Sequence, residues 1–308
     1  MVEAFDIIII GGGPAGYTAA LYGARAGRSV LLLEKLAPGG QMGTTDLIDN
    51  YPGFPQGVKG FQLAMDMKAG AERFGAQTKL EAVTALELAG DVKTVHTKKD
   101  GYEARAVILA TGAQPRELGL PQERALRGRG VSYCATCDGM FYRGKDVAII
   151  GGGNTAVADA LYLSKLCGRV YLIHRRDKLR APDSQRVLLE QAGNVEFLWN
   201  SRAEELLYAE RLTGLKTVRV DTGESRTLDC AGVFVAVGQV PETSLLAGQV
   251  ELDEAGYVVA GENCQTNLPG VFAAGDLRQK PLRQIITAAA DGAVAAQMAE
   301  EFLQRERT

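Results

Sequence analysis

Cysteine, histidine and tryptophan are scarce in this chain of 308 residues, which has five cysteines, two histidines and one tryptophan. So few cysteines over this length exclude a small secreted fold held by disulfides and favour a reducing compartment. No apolar run approaches the roughly 18 residues that a membrane-spanning helix needs. The N-terminus carries acidic residues where a secretory signal carries basic ones. We therefore expect a cytoplasmic protein with no membrane partner.

The chain also lacks an excess of positive charge. Its 34 basic and 37 acidic side chains leave a net charge of −3. This balance argues against non-specific nucleic-acid binding, for which a basic surplus supplies the affinity. The hydrophobic fraction of 46% is typical of a globular protein. The length suggests about two domains.

Glycine is abundant, with 37 residues, and it clusters at the turns of an internal repeat. Residues 6–16 predict a buried strand that runs into a glycine turn, and a helical pattern follows. Residues 146–156 repeat this pattern 140 positions later. Strands that enter such turns form βαβ units in parallel sheets. We therefore predict an α/β fold with two Rossmann-like, three-layer nucleotide-binding domains.

The end of the chain indicates how these domains are connected. Residues 270–276 predict one further strand and turn, which has no counterpart in the second repeat. We assign this strand to the first domain, so that the second domain is an insertion. The predicted first domain comprises 1–115 and 244–308, and the predicted second domain comprises 116–243.

The first turn, Gly11-x-Gly13-x-x-Gly16, fits the dinucleotide-binding pattern. Its glycines allow a tight turn and let the backbone approach a pyrophosphate, which the N-terminus of the following helix attracts. Glu34 ends the next strand, 23 residues after Gly11, where a carboxylate can bind a ribose diol. The alternative is a tight structural turn, with Glu34 as a surface charge.

The second turn has alanine at its third position, and no acid follows the next strand. His174 stands where the first repeat has Glu34, and arginines come after it. Guanidinium groups pair well with phosphate, so this turn favours the 2′-phosphate of NADP. The alternative is a solvated basic loop, with His174 as a packing or capping residue. The residues of this site are Gly151, Gly153, Asn154, Thr155, Ala156, His174, Arg175, Arg176 and Arg180.

Cys134 and Cys137 are separated by two residues and are followed directly by Asp138. Zinc would need a second pair of ligands, which the remaining cysteines and histidines do not offer at suitable spacing. A redox-active dithiol therefore fits better. Asp138 can exchange a proton with a departing thiolate, or it can cap a helix N-terminus. The remaining cysteines are predicted to be packing residues: Cys167 (on the predicted helix face), Cys230 and Cys264.

Two nucleotide-binding domains and one dithiol predict an electron chain. A nicotinamide carries a hydride, whereas a disulfide accepts two electrons but reacts poorly with hydride. A flavin can connect the two reactions. We therefore predict that the Glu34 site binds FAD. Electrons would pass from NADPH to FAD, then to the cysteine pair and to an external disulfide.

Over nearly its whole length, the chain resembles the low-molecular-weight, bacterial-type NADPH-dependent thioredoxin reductases. The resemblance implies a flavin disulfide-reductase fold, thioredoxin as the partner, a homodimer, and an FAD domain built from both ends of the chain. Besides the motifs above, the matching segments are Gly39-Gly40-Gln41, Asn50-Tyr51-Pro52-Gly53, Ala110-Thr111-Gly112, Gly275-Asp276 and Arg283-Gln284.

The resemblance also implies roles for individual residues. Cys137 would face the flavin, Cys134 would attack the disulfide of thioredoxin, and Asp138 would be the acid–base group. Asp276 would hold the ribityl–phosphate region of FAD. The residues beside the isoalloxazine ring would be Arg283 and Gln284.

Motifs and resemblance together give the candidate FAD site, and no metal site is expected. The FAD candidates are Gly11, Gly13, Pro14, Ala15, Gly16, Glu34, Lys35, Gly40, Gln41, Asn50, Val83, Ala110, Thr111, Gly112, Gly275, Asp276, Arg283, Gln284 and Ile285.

One position departs from the family pattern. Pro241-Glu242-Thr243 stands at the predicted domain junction, where the family often has Pro-Asn-Thr. The sequence predicts no role for Glu242.

Other functions could use the same motifs. The scaffold could reduce another thioredoxin-like relay protein, or it could oxidise a small dithiol with oxygen. A third hypothesis is a binding module that senses NADP without turnover, which would leave the cysteine pair without a purpose.

Overall fold

Strands and helices alternate along the computed structural model, which describes residues 2–45, 47–181 and 183–305. The strands are, in chain order, β1 (Glu3–Ile10), β2 (Val30–Glu34), β3 (Gln77–Leu80), β4 (Val83–Glu87), β5 (Lys93–Thr97), β6 (Gly101–Leu109), β7 (Ala113–Pro115), β8 (Val131–Ser132), β9 (Val147–Ile150), β10 (Val170–Ile173), β11 (Val195–Leu198), β12 (Ser201–Tyr208), β13 (Leu212–Arg219), β14 (Ser225–Asp229), β15 (Gly232–Val235), β16 (Gln239–Pro241) and β17 (Val271–Ala273).

The α-helices are α1 (Pro14–Arg25), α2 (Gly40–Gly43), α3 (Gly60–Glu72), α4 (Ala135–Asp138), α5 (Asn154–Ser164), α6 (Asp183–Gln191) and α7 (Ile285–Arg305). Short 3-10 helices lie at Gly139–Tyr142, Ser244–Leu246 and Gly275–Leu277. None of the helices in the described ranges combines the length and the hydrophobicity that a membrane span requires.

The chain divides into two compact units. The first unit is Met1–Gln114 with Val240–Thr308, and the second unit is Pro115–Gln239. The second unit ends four positions before the boundary predicted after residue 243. Glu242 explains the difference, because its N–H donates to the carbonyl oxygen of Gly112 in the first unit.

The first unit is built on a sheet in which the described strands follow the order β3-β2-β1-β6-β5-β4, with β17 paired to β6. Strands β1, β2, β3, β6 and β17 pair in parallel, and β4 and β5 continue the sheet in antiparallel fashion. The long strand β6 permits this arrangement, because its first half pairs with β5 and its second half with β17. The C-terminal segment thereby joins the sheet that the N-terminus begins.

Both faces of this sheet are covered. Ile7 and Ile9 of β1 belong to one apolar cluster, which also contains residues of α1 and α7. Ile8 and Ile10 belong to a second cluster on the opposite face. Continuous apolar runs of this kind are typical of parallel strands that are buried on both sides. The isoleucine run of the sequence therefore gives a central strand of a three-layer unit.

Small residues let α1 and α7 pack closely on one face. Gly292 of α7 lies against Ala15 of α1, because a Cβ on Gly292 would be 2.1 Å from the carbonyl oxygen of Ala15. The buried alanines Ala288, Ala295 and Ala299 continue this stripe at helical spacing. The contact places α7 beside the first glycine turn.

The second unit repeats the plan in a five-stranded sheet of described strands with the order β11-β10-β9-β15-β8, paired in parallel throughout. A separate antiparallel sheet follows the order β12-β13-β14. The prediction that Cys167 lies on a helix face is wrong, since α5 ends at Ser164. The N–H of Cys167 instead donates to the carbonyl oxygen of Leu163 in the turn that leads to β10.

A buried carboxylate fixes the loop after β17 to α7. The side chain of Asp291 is only 9% exposed. It accepts hydrogen bonds from Arg278 at 2.7 Å, from Lys280 at 2.8 Å and from the N–H of Gly275 at 2.9 Å. Burial alone would raise the pKa of Asp291, but the bonds from Arg278 and Lys280 outweigh burial and lower the pKa below its usual value.

Replacing Asp291 with alanine is expected to destabilise the protein by about 3 kcal/mol, because two largely buried cations lose their counter-charge. The folded-state pKa of Asp291 is lowered, so its contribution is full above the unfolded-state pKa of about 4 and is lost as the pH falls through the folded-state pKa. Urea unfolding at neutral pH and at successively lower pH measures both effects.

The control is Gln297→Ala, at an exposed position of the same helix. This variant should unfold at nearly the wild-type urea concentration. Equal stability of Asp291→Ala and the wild type at neutral pH would show that the network contributes nothing.

Candidate functional site

The first glycine turn is closed by contacts that leave no room for side chains. Gly11 has a φ of +110°, and a Cβ there would lie 2.3 Å from the carbonyl oxygen of Ala110. A Cβ on Gly16 would lie 1.9 Å from the carbonyl oxygen of Gly11. Both distances are far shorter than real Cβ contacts, so both positions require glycine. The turn between β1 and α1 is therefore fixed against the end of β6.

The open side of this turn faces space in which an anion can bind. Gly13 is the N-cap of α1, and a Cβ on it would meet nothing within 4 Å. Gly40 lies nearby, because its Cβ would be 3.6 Å from the Cα of Gly13. Pro14 has no N–H, so the first donors of the helix are the N–H groups of Ala15 and Gly16, which have no acceptor within the helix. These donors and the helix dipole suit a phosphate.

Glu34 is buried beside the turn, so the interpretation as a surface charge is wrong. Its Oε2 atom accepts a hydrogen bond from the N–H of Gly12 at 2.7 Å, and its Oε1 atom accepts one from the N–H of Leu36 at 3.0 Å. These two bonds hold the carboxylate at the end of β2. This is the position of a ribose-binding acid in dinucleotide-binding folds.

Asp276 brings a second carboxylate to the first unit. It follows β17, and its Oδ1 atom is buried without a hydrogen-bond partner among the described residues. Burial raises the pKa of Asp276, although Lys280 and Arg283 act in the opposite direction. A buried acceptor without a donor is costly unless a ligand supplies the donor. A sugar or ribityl hydroxyl fits this requirement.

Other candidates of the first unit meet across long sequence separations. The Asn50 side chain donates to Oε1 of Gln284 at 2.9 Å. The side-chain amide of Gln41 donates to the carbonyl oxygen of Ala113. The guanidinium of Arg283 lies 4.0 Å from the centre of the Tyr257 ring.

Val83 and Ile285 are placed by packing rather than by polar contacts. Val83 begins β4 and packs against the apolar cluster that contains Ile8. Ile285 is the first residue of α7 and packs against the cluster that contains Met42.

The structure gives Glu242 a place that the sequence did not predict. Its Oε2 atom lies 4.0 Å from Nζ of Lys35. Its carbonyl oxygen accepts a hydrogen bond from the Thr111 hydroxyl at 2.8 Å, and its N–H donates to Gly112. The backbone at residue 242 therefore contacts two FAD candidates, and its side chain pairs with a third.

The second glycine turn repeats this construction with one change. A Cβ on Gly151 would lie 2.4 Å from the carbonyl oxygen of Ala236 and 2.7 Å from the Cβ of Ala156, which replaces the third glycine. Gly153 is the N-cap of α5 and receives no side-chain cap. The exposed residues of the first helical turn are Asn154 and Thr155.

His174 follows β10 at the position that Glu34 has in the first unit. It is 6% exposed, and its ring packs against Gly152, where a Cβ would be 2.2 Å from the ring. Burial lowers the pKa of His174, and three neighbouring arginines lower it further. Since the ordinary pKa of histidine is about 6.5, His174 is neutral at pH 7.

Exposed arginines lie around this turn. The Nη2 atom of Arg180 is 3.4 Å from the position that a Cβ on Gly153 would take, so its guanidinium borders the open side of the turn. Arg175 and Arg176 directly follow His174 and are exposed. The carbonyl oxygen of Arg176 accepts a hydrogen bond from the N–H of Asn200. Guanidinium groups beside a helix N-terminus favour a phosphate-bearing ligand.

Cys134 and Cys137 form a disulfide with a Cα–Cα distance of 5.3 Å. Cys134 is the N-cap of α4, and its Sγ atom accepts a hydrogen bond from the N–H of Cys137 at 3.2 Å. Both cysteines are half-buried, and the next large side chains, Met140 and Phe141, are exposed. Once the disulfide is reduced, a backbone donor in this position would stabilise a thiolate on Cys134.

Asp138 does not cap a helix. It precedes the 3-10 helix at Gly139–Tyr142, but its side chain makes no capping bond there. Its Oδ2 atom instead accepts a hydrogen bond from the Ser132 hydroxyl at 2.6 Å. Burial raises the pKa of Asp138, whereas the bond from Ser132 and the charge of Arg127 lower it. Ser132 was missed in the sequence, although it lies only two residues before Cys134.

The other cysteines are buried free thiols. Burial raises the pKa of Cys167 and Cys264 to about 11, and that of Cys230 to about 12. They are therefore protonated at neutral pH and are poor nucleophiles. Across the part of the chain that the structure describes, no group of three or more His, Cys, Asp or Glu side chains could hold a metal ion.

A family model described as "Pyridine nucleotide-disulphide oxidoreductase" matches residues 5–292. The chain belongs to this family. The thioredoxin reductase of Streptomyces clavuligerus is 47% identical over 308 residues, which cover 98% of this chain and 95% of that protein. The thioredoxin reductase of Mycolicibacterium smegmatis is 47% identical over 305 residues, which cover 98% of this chain and 97% of that protein. The solved thioredoxin reductase of Streptococcus pyogenes is 41% identical and superposes with a TM-score of 0.93, covering 99% and 100% of the two chains.

These relatives confirm the resemblance to thioredoxin reductases and the predicted fold class. The chain is therefore an oxidoreductase of this family. Membership implies that it uses a flavin and a nicotinamide nucleotide. The residues present fit both groups, because each unit has a glycine turn with an open helix N-terminus, and because Asp276 has an acceptor that needs a donor.

The variants Gly16→Ala and Gly13→Ala distinguish the effect of the turn on protein stability from its effect on flavin binding. Gly16→Ala forces a methyl group onto the carbonyl oxygen of Gly11, so we expect a loss of about 2 kcal/mol in stability together with loss of flavin. Gly13→Ala meets no protein atom and changes only the N-cap residue, so the apoprotein should lose about 1 kcal/mol or less, yet flavin retention should fall. Absorbance of the purified proteins and thermal melts of the apoproteins measure both effects. Full flavin retention by Gly13→Ala would contradict the assignment of this turn as the phosphate site.

Proposed function

We propose that this chain is an NADPH-dependent thioredoxin-disulfide reductase, a flavoenzyme that passes electrons from NADPH through FAD and the Cys134–Cys137 disulfide to oxidised thioredoxin. The observation that carries the proposal is a half-buried disulfide at a helix N-terminus, in the same unit as a nucleotide turn bordered by arginine. The names of the relatives support the reaction.

The first unit, predicted as domain 1–115 with 244–308, would bind FAD. Glu34 would hold the ribose diol, and the N-terminus of α1 would hold the pyrophosphate. Oδ1 of Asp276 would accept a hydrogen bond from a ribityl hydroxyl. When bound, FAD accepts a hydride and delivers an electron pair to a disulfide.

The second unit, predicted as domain 116–243, would bind NADPH. Here a neutral His174 replaces the ribose-binding acid, so no negative charge at that position repels a 2′-phosphate. Arg180 borders the open turn, and Arg175 and Arg176 supply further donors. This arrangement supports NADPH rather than NADH.

The cysteine pair would act in two steps. Reduction breaks the S–S bond and adds two electrons and two protons. The thiolate of Cys134, stabilised by the N–H of Cys137, would then attack the disulfide of thioredoxin and form a mixed disulfide. Cys137 would attack the Cys134 sulfur of this mixed disulfide, which re-forms the Cys134–Cys137 bond and releases reduced thioredoxin. Asp138 would give and accept the proton of the departing thiolate, for which its raised pKa is suited.

Thioredoxin as the partner is supported by a relative in Mycobacterium leprae that is named bifunctional thioredoxin reductase/thioredoxin. Exposed Met140 and Phe141 beside the disulfide suit a protein partner, because exposed large apolar side chains commonly mark contact surfaces. A homodimer and a cytoplasmic location stay predictions from the sequence.

Cys137→Ser is the direct test of the electron path. Anaerobic NADPH should bleach the flavin in both the wild type and the variant, but only the wild type should release thiols from oxidised thioredoxin. A disulfide-reporting dye and flavin absorbance measure the two steps. Flavin bleaching without thiol release in the wild type would exclude thioredoxin as the acceptor and favour a different relay protein or a small dithiol.

Replacing both Arg175 and Arg176 with alanine tests the choice of coenzyme. Loss of two charge-assisted bonds to a 2′-phosphate should reduce the ratio of kcat/KM for NADPH to that for NADH by about 100-fold. The KM for NADH should change little. Arg169→Ala, at an exposed arginine before β10, is the matched control. An unchanged ratio in the double variant would refute the 2′-phosphate assignment.

A further inference from the structure

Ser132 is a buried serine whose hydroxyl contacts both ends of the cysteine segment. It is the last residue of β8, and it is 2% exposed. Its Oγ atom accepts a hydrogen bond from the N–H of Cys134 at 3.1 Å and donates one to Oδ2 of Asp138 at 2.6 Å. The carbonyl oxygen of Cys134 lies 3.3 Å from the same Oγ atom. One hydroxyl therefore holds the beginning and the end of residues 134–138.

This hydroxyl has one proton and two possible acceptors. When Asp138 is ionised, the Ser132 proton lies toward Oδ2 in a short, charge-assisted bond. When Asp138 is protonated, the carboxyl group can donate to Oγ, and the Ser132 proton can turn to the carbonyl oxygen of Cys134. The carboxyl group stays bonded in the same place in both states.

We propose that Ser132 is a positioning residue for the dithiol chemistry, and that its hydroxyl keeps Asp138 oriented while a proton moves between Asp138 and the departing sulfur. The inference deepens the proposed function and rests on it, because it requires Asp138 to be the acid–base group. The hydrogen bonds of the Ser132 hydroxyl join it to Asp138 and to the backbone of Cys134.

The reaction used for the test is reduction of the pair by dithiothreitol. The S–S bond between Cys134 and Cys137 breaks, and an S–S bond forms in dithiothreitol. Two electrons and two protons pass from dithiothreitol to the pair. The first thiol of dithiothreitol attacks as a thiolate, and Asp138 gives one proton to the cysteine thiolate that departs. The second thiol of dithiothreitol loses its proton to Asp138, attacks the mixed disulfide and closes the dithiothreitol ring, and the second cysteine sulfur leaves and takes up a proton.

Other ionisable groups belong to the elements that pack around Asp138. Arg127 lowers the pKa of Asp138, and Tyr142 on the following 3-10 helix interacts with it. Asp159 and Tyr162 belong to α5, the helix that packs against α4. These groups are the same in every Ser132 variant, so differences between the variants isolate the Ser132 hydroxyl.

The experiment compares oxidised holoenzyme of the wild type with Ser132→Ala, Ser132→Thr, Ser132→Val and Asp138→Asn. Each protein is mixed with dithiothreitol at stepwise pH, and alkylation at set times followed by mass measurement gives the rate of reduction. The rate constant is divided by the thiolate fraction of dithiothreitol. The pH dependence that remains then reports the protonation state of the proton donor in the enzyme. Neither NADPH nor thioredoxin is needed. Threonine and valine have the same shape and differ only in the hydroxyl.

In the wild type, we expect the corrected rate constant to fall as the pH rises through the pKa of Asp138, and Asp138→Asn should abolish this fall. Ser132→Ala and Ser132→Val should reduce the rate at low pH by about tenfold, a part of the acid catalysis that an oriented donor supplies. In these two variants the midpoint of the decrease should also lie roughly one pH unit higher, because the ionised carboxylate of Asp138 loses a hydrogen-bond donor. Ser132→Thr should keep the wild-type midpoint.

If Ser132→Ala shows the same pH midpoint and the same rate at low pH as the wild type, the inference is overturned and the proposed function is left intact. If Ser132→Val does not fold, the comparison of Ser132→Ala with Ser132→Thr decides, and equal midpoints in these two variants would also overturn it. Absence of any Asp138-dependent fall in the wild type would instead contradict the acid–base role within the proposed function.

Discussion

Both candidate nucleotide sites depend on one constraint, the close approach of a glycine to the end of a neighbouring strand. Gly11 lies against the carbonyl oxygen of Ala110, and Gly151 lies in the same way against that of Ala236. Because no side chain fits there, each turn is tight and presents the N-terminus of a helix to open space. The same geometry is used twice, and the residue that follows the second strand decides the electrostatics. Glu34 supplies a fixed carboxylate in one unit, whereas a neutral His174 with arginines after it favours phosphate in the other.

The cysteine pair depends on a different balance, between burial and local hydrogen bonds. The N–H of Cys137 donates a hydrogen bond to the sulfur of Cys134 and would favour a thiolate there after reduction. Burial raises the pKa of Asp138, so that its carboxyl group keeps a proton to higher pH, and the Ser132 hydroxyl donates a hydrogen bond to that carboxyl group. The roles proposed for these residues, a nucleophile at Cys134 and an acid at Asp138, place the two groups at opposite ends of one short helix.

The sequence was sufficient for the elements that depend on local pattern. The apolar run before Gly11 and the glycine spacing predicted β1, α1 and β2, and the repeat predicted their equivalents in the second unit. The cysteine spacing predicted the disulfide. Contacts between distant residues could not be predicted in this way. The partners of Asp291 are eleven or more positions away in the chain, and the pairing of Glu242 with Lys35 depends on the chain returning to the first unit. Such partners follow from tertiary packing, which one sequence does not display.

An anaerobic titration of the holoenzyme with dithionite, monitored by flavin absorbance and by alkylation of thiols, tests the proposed electron path. If flavin and disulfide form one electron path, the wild type takes up two electron pairs per chain, one in the flavin and one in the Cys134–Cys137 disulfide, with two new thiols at the end point. A variant with both cysteines replaced by serine should take up one pair and gain no thiols. Uptake of a single pair by the wild type, with the disulfide intact after the flavin is bleached, would contradict the claim that flavin and disulfide form one electron path.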